Sequence, residues 1–164
     1  LPISIAPSKT FNIAGLKISN TISNNLKGLL KLRKTFEKHL ISTPNLLAVT
    51  ALKAAYKEGV PWLEAQNKHI LENYTYAKSF LLKHYPKIVI SPLEGTYLMW
   101  IDFNCFDHAS AALHNLFLSH GLVLSNGIKF GRNGNGFMRL NLACSKEQLT
   151  LGLTKLKEAL DTII

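Results

Sequence analysis

The sequence predicts an α/β protein, and three observations carry that prediction. From about residue 86 onward the pattern runs strand, strand, helix, strand, strand, helix. Within it, the run TYLMWIDF at Thr96–Phe103 is apolar on both faces, as in a strand covered on two sides. At the end, Leu149, Leu153, Leu156, Leu160 and Ile164 fall on one helical stripe. With 164 residues, 47% of them hydrophobic, the chain can bury a substantial core in one or two compact units.

The elements follow in order. Residues 2–6 read as the end of a buried strand, followed by a turn-rich connection through Pro7 to Gly15 and an extended run at Leu16–Ser19. A helical pattern covers about Ser23 to His39. Thr43-Pro44 supplies a cap followed by proline at a first helical position, and Gly59 closes that helix beyond Tyr56. Pro61 opens a third helix whose Trp62, Ile70, Tyr74, Ala77 and Leu81 recur at helical spacing, long enough to connect two domains. Short strands are expected at Ile88–Ile90, Leu122–Leu124 and Gly136–Leu142. Asp107 is expected to cap a helix through Leu118, with Gly121 just beyond its end. Ser145 and Gln148 form a capping-box pattern before the last helix.

Composition narrows the function classes. The net charge is +9, from 19 Lys+Arg against 10 Asp+Glu. The densest basic stretch, Lys27, Lys31, Arg33, Lys34 and Lys38, alternates with Leu26, Leu29, Leu30 and Phe36, which is the spacing of a solvated helix face and not of a nucleic-acid site. No apolar run approaches the ~20 residues of a membrane span, and the first residues lack the basic-then-apolar arrangement of a signal peptide, so a soluble, cytoplasmic protein without membrane partners is expected. Cys105 and Cys144 lack CxxC spacing and read as free thiols in a reducing compartment. The six histidines, at 39, 69, 84, 108, 114 and 120, show no ligand spacing, so no metal is expected. FGRNGNG, with Gly131, Gly134 and Gly136, precedes a strand where a phosphate loop would open a helix, and reads as a mobile loop beside an active site. Trp100 and Tyr97 read as core or domain-interface aromatics. The chain begins at Leu1 and runs at once into an apolar segment, as a piece of a longer polypeptide would.

Two residues stand out chemically. Lys9 follows Ser8 at the exit of a strand, where partial desolvation would favour the neutral, nucleophilic amine; a surface lysine in a turn fits the local pattern better. Arg139 in GFMRLNLACS is flanked by Phe137, Met138, Leu140 and Leu142. Its guanidinium either meets a carboxylate or phosphate through a paired fork or reaches solvent from an edge strand, and the residues alone leave both open.

The segment APSKTFNIAGLK resembles the pyridoxal-phosphate lysine signature of class I/II aminotransferases, of fold type I. WLEAQNKHILEN, EGTYLMWIDF and SNGIKFGRNGNGFMRLNLACS continue the likeness in the family's order along essentially the whole chain. The branch it resembles holds cystathionine β-lyases, or carbon–sulfur lyases, of the MalY/PatB type. The resemblance implies that Lys9 binds the aldehyde of pyridoxal 5'-phosphate, that Ser8 and Lys17 contact the cofactor, and that Arg139 grips the substrate α-carboxylate. Lys17 departs from the broad family pattern, which has arginine there, and offers a point charge in place of a fork. Ala6 stands where many relatives carry a phosphate-contacting Ser or Gly.

By the family's layout, residues 1–57 would end the large cofactor domain, 58–85 would be the connecting helix, and 86–164 the small C-terminal α/β domain. The aspartate on the pyridine nitrogen, the stacking aromatic and a Gly-containing phosphate loop lie upstream in that layout, so a C-terminal piece, inactive alone, is expected. The whole protein is expected to be a homodimeric enzyme eliminating a thiolate from a sulfur amino acid. Aminotransferase activity, or a non-catalytic scaffold or regulatory role, is the alternative.

Overall fold

The computed structural model describes residues 2–41 and 43–164. The chain divides into two compact units, Leu1–Gln66 and Asn67–Ile164, and the cut falls within one long helix.

The first unit opens with a hairpin, β1 (Ile3–Ile5) paired antiparallel with β2 (Asn20–Ile22), Ile3 opposite Ile22. The expected strand at the start exists but is not buried, because its sheet is two-stranded; Ile3 is 62% exposed. The extended run expected at Leu16–Ser19 begins later, since Ala14–Leu16 close a 3₁₀ turn first. Helix α1 (Leu26–Lys38) is capped by Asn25, whose side chain accepts from the Gly28 amide. Its basic residues are all exposed, as expected for a solvated face. Helix α2 (Leu46–Glu58) is capped by Asn45, which accepts from the Leu47 amide. The expected Thr43-Pro44 cap is therefore displaced by two residues: an asparagine outcompetes the threonine, and Pro44 stays outside the helix. Gly59 ends α2 as expected. Among the described residues of this unit, Pro7 and Ala48 alone are buried.

Helix α3 (Val60–His84) leads into the second unit, where Ile70, Tyr74, Ala77 and Leu81 face the core; Trp62, expected on the same stripe, is half exposed. The sheet is antiparallel throughout, in the order β3 (Val89–Ile90), β4 (Leu98–Asp102), β6 (Phe137–Asn141), β5 (Ser125–Asn126). The strand expected at Leu122–Leu124 instead lies at Ser125–Asn126. Helix α4 (Ser110–Ser119) has Ala109 as its N-cap, which offers no side-chain acceptor; the Asn135 side chain accepts from the Ser110 amide instead. Asp107, the expected cap, takes a left-handed conformation (φ 55°) that ends a 3₁₀ turn, which aspartate tolerates better than most residues. Helix α5 (Lys146–Leu160) starts at the Ser145 cap, which accepts from the Gln148 amide as expected.

The core joins Met99 and Ile101 of β4 and Met138 of β6 to Leu113 and Phe117 of α4 and to Leu149, Leu153, Leu156 and Leu160 of α5. Ile164, expected on the α5 stripe, lies past the helix end and is 78% exposed. Strand β4 alternates buried and half-buried, so one face meets the core and the other is only partly covered. Asn73, 1% exposed, donates to the carbonyls of Leu142 and Cys144 at 2.9 and 3.0 Å and ties α3 to the residues after β6.

Tyr85, 5% exposed, places its hydroxyl 2.8 Å from Oδ1 of Asp161, to which it donates. Burial first, then the hydrogen bond and charge of Asp161, push its pKa upward. The sign follows: an acid whose folded pKa lies above its unfolded value, about 10, stabilises fully below that pH and loses its contribution as the pH rises past it. Tyr85→Phe is expected to cost about 1 kcal/mol at pH 8 in urea unfolding, with the gap to the parent narrowing above about pH 10. A gap constant from pH 8 to 11 would refute this.

Candidate active site

The residues proposed from sequence fall into two groups. Ser8, Lys9 and Lys17 share one connection, the loop joining β1 to β2. Arg139 belongs to the sheet of the second unit.

The loop is built around buried Pro7, whose carbonyl accepts from the Phe11 amide at 2.9 Å, while the Ser8 carbonyl accepts from Ile13. Asn12 and Lys17 adopt left-handed backbones, at φ 54° and 51°, and the Lys17 amide closes the 3₁₀ turn onto Ala14. Phe11 pins the turn. Its ring meets Tyr56 edge-on at 6.0 Å and Trp62 at 6.2 Å. It also passes so close to Gly59 that a Cβ there would come within 2.6 Å of the ring, so packing favours glycine at a position whose backbone alone would accept any residue. Ser8 is half-buried, Lys9 and Lys17 exposed. The desolvation expected at Lys9 is not provided by this unit.

The donor set suits two ends of a phosphorylated aldehyde: a primary amine for the carbonyl carbon, and a hydroxyl with a second amine for the phosphate. Nine Lys and Arg stand against three Glu, and no Asp, in residues 1–66, which favours an anion there. Glu37 pairs with Arg33 and Glu58 with Lys57. The fit thus covers the aldehyde and phosphate ends of such a group.

Arg139 lies on β6 between Trp100 of β4 and Ser125 of β5, directly opposite both in register. The edge-strand alternative is therefore excluded, since β6 is flanked on each side. One guanidinium nitrogen, Nη2, donates to Ser125 Oγ at 3.3 Å, and the guanidinium carbon lies 4.5 Å from the centre of the Phe130 ring. Trp100 stacks on Phe137 at 5.5 Å and meets Phe130 edge-on at 5.7 Å. Among the described residues no carboxylate pairs with Arg139. A half-buried arginine with an aromatic face beside it and no counter-charge keeps a fork available for an incoming carboxylate.

The glycine-rich loop is more regular than the sequence suggests. Gly127–Phe130 and Arg132–Gly134 form two 3₁₀ turns, and the Asn126 side chain accepts from the Ile128 amide while donating to the Ser110 carbonyl. Phe130 and Ser125, which hold Arg139, were not evident from sequence, because the signal lies in the register of β5 on β6.

Other candidates are unsuited. Burial pushes the pKa of both thiols up, Cys105 with help from the charge of Asp102, and Cys144 by burial alone, which disfavours a thiolate nucleophile. Both are free thiols. Among the described residues no group of three His, Cys, Asp or Glu could hold a metal ion, and no helix is long and apolar enough to cross a membrane.

No protein-family model matches the chain. Cystathionine β-lyase PatB of Bacillus subtilis (strain 168) is 39% identical over 156 residues, which is 94% of this chain and 40% of that protein. The crystal structure of cystalysin from Treponema denticola, which contains a pyridoxal 5'-phosphate cofactor, superposes with a TM-score of 0.94 at 32% identity, covering 99% of this chain and 42% of that one. A pyridoxal-phosphate-bound C–S lyase from Staphylococcus hominis superposes with a TM-score of 0.84 at 34% identity, covering 97% and 42%. The chain thus spans about 40% of the length of the curated relatives it matches, and its mixed helix and sheet fold is that of their C-terminal part.

Proposed function

We propose that the chain belongs to the pyridoxal-phosphate-dependent class I/II aminotransferase family, on its cystathionine β-lyase branch, and that the whole protein cleaves a carbon–sulfur bond of a sulfur amino acid by α,β-elimination. The observation that carries this reading is the β1–β2 loop, which presents Ser8, Lys9 and Lys17 from one connection. Lys9 would hold the cofactor aldehyde, with the Ser8 hydroxyl and the Lys17 amine toward its phosphate. When bound, the cofactor supplies an electron sink for negative charge at the substrate Cα.

The chain's own residues do the rest. Arg139 orients the substrate through its α-carboxylate, using donors that no carboxylate of the described residues occupies. The neutral amine of Lys9, once displaced, removes the Cα proton as general base. The Cβ–S bond then breaks and the electron pair leaves on sulfur; the remaining three carbons, still carrying the amino nitrogen, are hydrolysed to pyruvate and ammonia. Lys17 contributes a point charge without the geometric selectivity of an arginine.

In this reading residues 1–57 close the large domain, 58–85 link it to 86–164, and the whole protein is a cytoplasmic homodimer acting on a small amino acid. The whole protein, given cystathionine, is expected to release pyruvate. Amino transfer dependent on a 2-oxo acid, with no pyruvate, would replace the lyase by an aminotransferase. The 164-residue chain mixed with pyridoxal phosphate is a second test. Visible absorbance that Lys9→Ala abolishes would mean that this chain holds the aldehyde by itself; its absence would assign that capacity to the whole protein.

A further inference from the structure

We propose that Phe130 is a positioning residue for Arg139, holding the guanidinium flat so that its free edge is presented to a carboxylate; this rests on the reading of Arg139 as the carboxylate-binding residue. An arginine has several rotatable bonds, and ordering them on binding weakens a complex. Here the ordering is done beforehand from two directions. Ser125 Oγ takes an N–H of Nη2, and the Phe130 ring lies 4.5 Å from the guanidinium carbon. Stacking uses the face of the guanidinium and consumes none of its five N–H donors. A carboxylate partner from the protein would have fixed the group equally well but would have occupied the donors that a ligand needs.

Phe130 itself is placed with some elaboration for a residue that is 55% exposed. It ends the 3₁₀ turn Gly127–Phe130, whose start is capped by Asn126. Its ring is backed edge-on by Trp100, which in turn stacks on Phe137. Trp100 is the β4 residue directly opposite Arg139. An exposed phenylalanine adds little to the core, so this arrangement is better matched to the guanidinium beside it than to stability.

The test has two readouts. In the ¹⁵N-labelled 164-residue chain, the Arg139 Nε–H resonance is titrated with sodium propionate against sodium chloride of equal ionic strength. Phe130→Leu is expected to weaken propionate binding about fourfold, the scale of one exposed cation–π contact, while Phe130→Tyr, which keeps the ring, stays within about twofold of the parent. In the whole protein, Phe130→Leu is expected to raise KM for cystathionine by about the same factor and to leave kcat within about twofold. A change in propionate affinity below about twofold in Phe130→Leu overturns the role of Phe130. If Arg139→Gln abolishes propionate binding in that same experiment, the reading of Arg139 stands on its own. A parent resonance indifferent to propionate overturns both.

Discussion

Replacing Lys9 by alanine in the whole protein is expected to lower kcat for pyruvate release from cystathionine by about 10²–10⁴-fold, the range a positioned general base contributes. The same change should leave the fold intact: Lys9 is exposed and the turn that carries it is held by Pro7, Phe11 and Ile13 through backbone bonds and ring packing. Lys9→Arg is expected to fail as badly, because a guanidinium stays protonated at neutral pH and cannot accept the Cα proton. A small primary amine added to the alanine variant should restore part of the rate, since it replaces the missing base and not a missing brace. The measurement is pyruvate formation with and without the amine. A variant that keeps more than about a tenth of the parent rate would remove Lys9 from the chemistry.

How far the sequence led differs between helices and turns, and the reason is periodicity. The buried residues of α3 and α5 recur at helical spacing, and Gly59 and Ser145 mark real helix ends, so those elements were legible. So was the order of the last six elements. Three boundaries differ from the sequence reading, and only at the first did a nearby residue compete for the same helix cap. Asn45 caps α2 two residues after Thr43-Pro44, Ala109 stands at the start of α4 where Asp107 was expected, and β5 forms at Ser125–Asn126 after the apolar Leu122–Leu124 run. In the second and third cases the choice was made by tertiary packing. Asn126 bonds the Ser110 carbonyl and the Gly136 amide bonds Ser110 Oγ, which fixes the start of α4 and the position of β5 together.

The candidate site was legible only in part. Lys9 and Arg139 each had an ordinary structural reading, and the ordered family motifs raised them above it. The neighbours of Arg139 had no such signal. Ser125 and Phe130 lie 14 and 9 positions upstream, and they reach it because β5 pairs with β6 and the intervening segment folds back in two tight turns.

Those two turns give the last prediction. Gly127 and Gly134 touch backbone to backbone: a Cβ on Gly134 would lie 2.1 Å from the Gly127 carbonyl oxygen, and one on Gly127 would lie 2.4 Å from that of Gly134 and 2.7 Å from that of Phe137. The obstructing atoms are main chain, so no rotamer change relieves the clash and the turns must separate. Gly134→Ala is therefore expected to destabilise the second unit by about 2–3 kcal/mol in urea unfolding, at the upper end of what overpacking costs. Opening the turns also moves Phe130, which ends the first of them, off the guanidinium of Arg139. KM for cystathionine should then rise in Gly134→Ala at least as much as in Phe130→Leu. A variant that loses stability while KM stays at the parent value would make the glycine pair a brace for the fold alone, with no hold on the carboxylate-binding arginine.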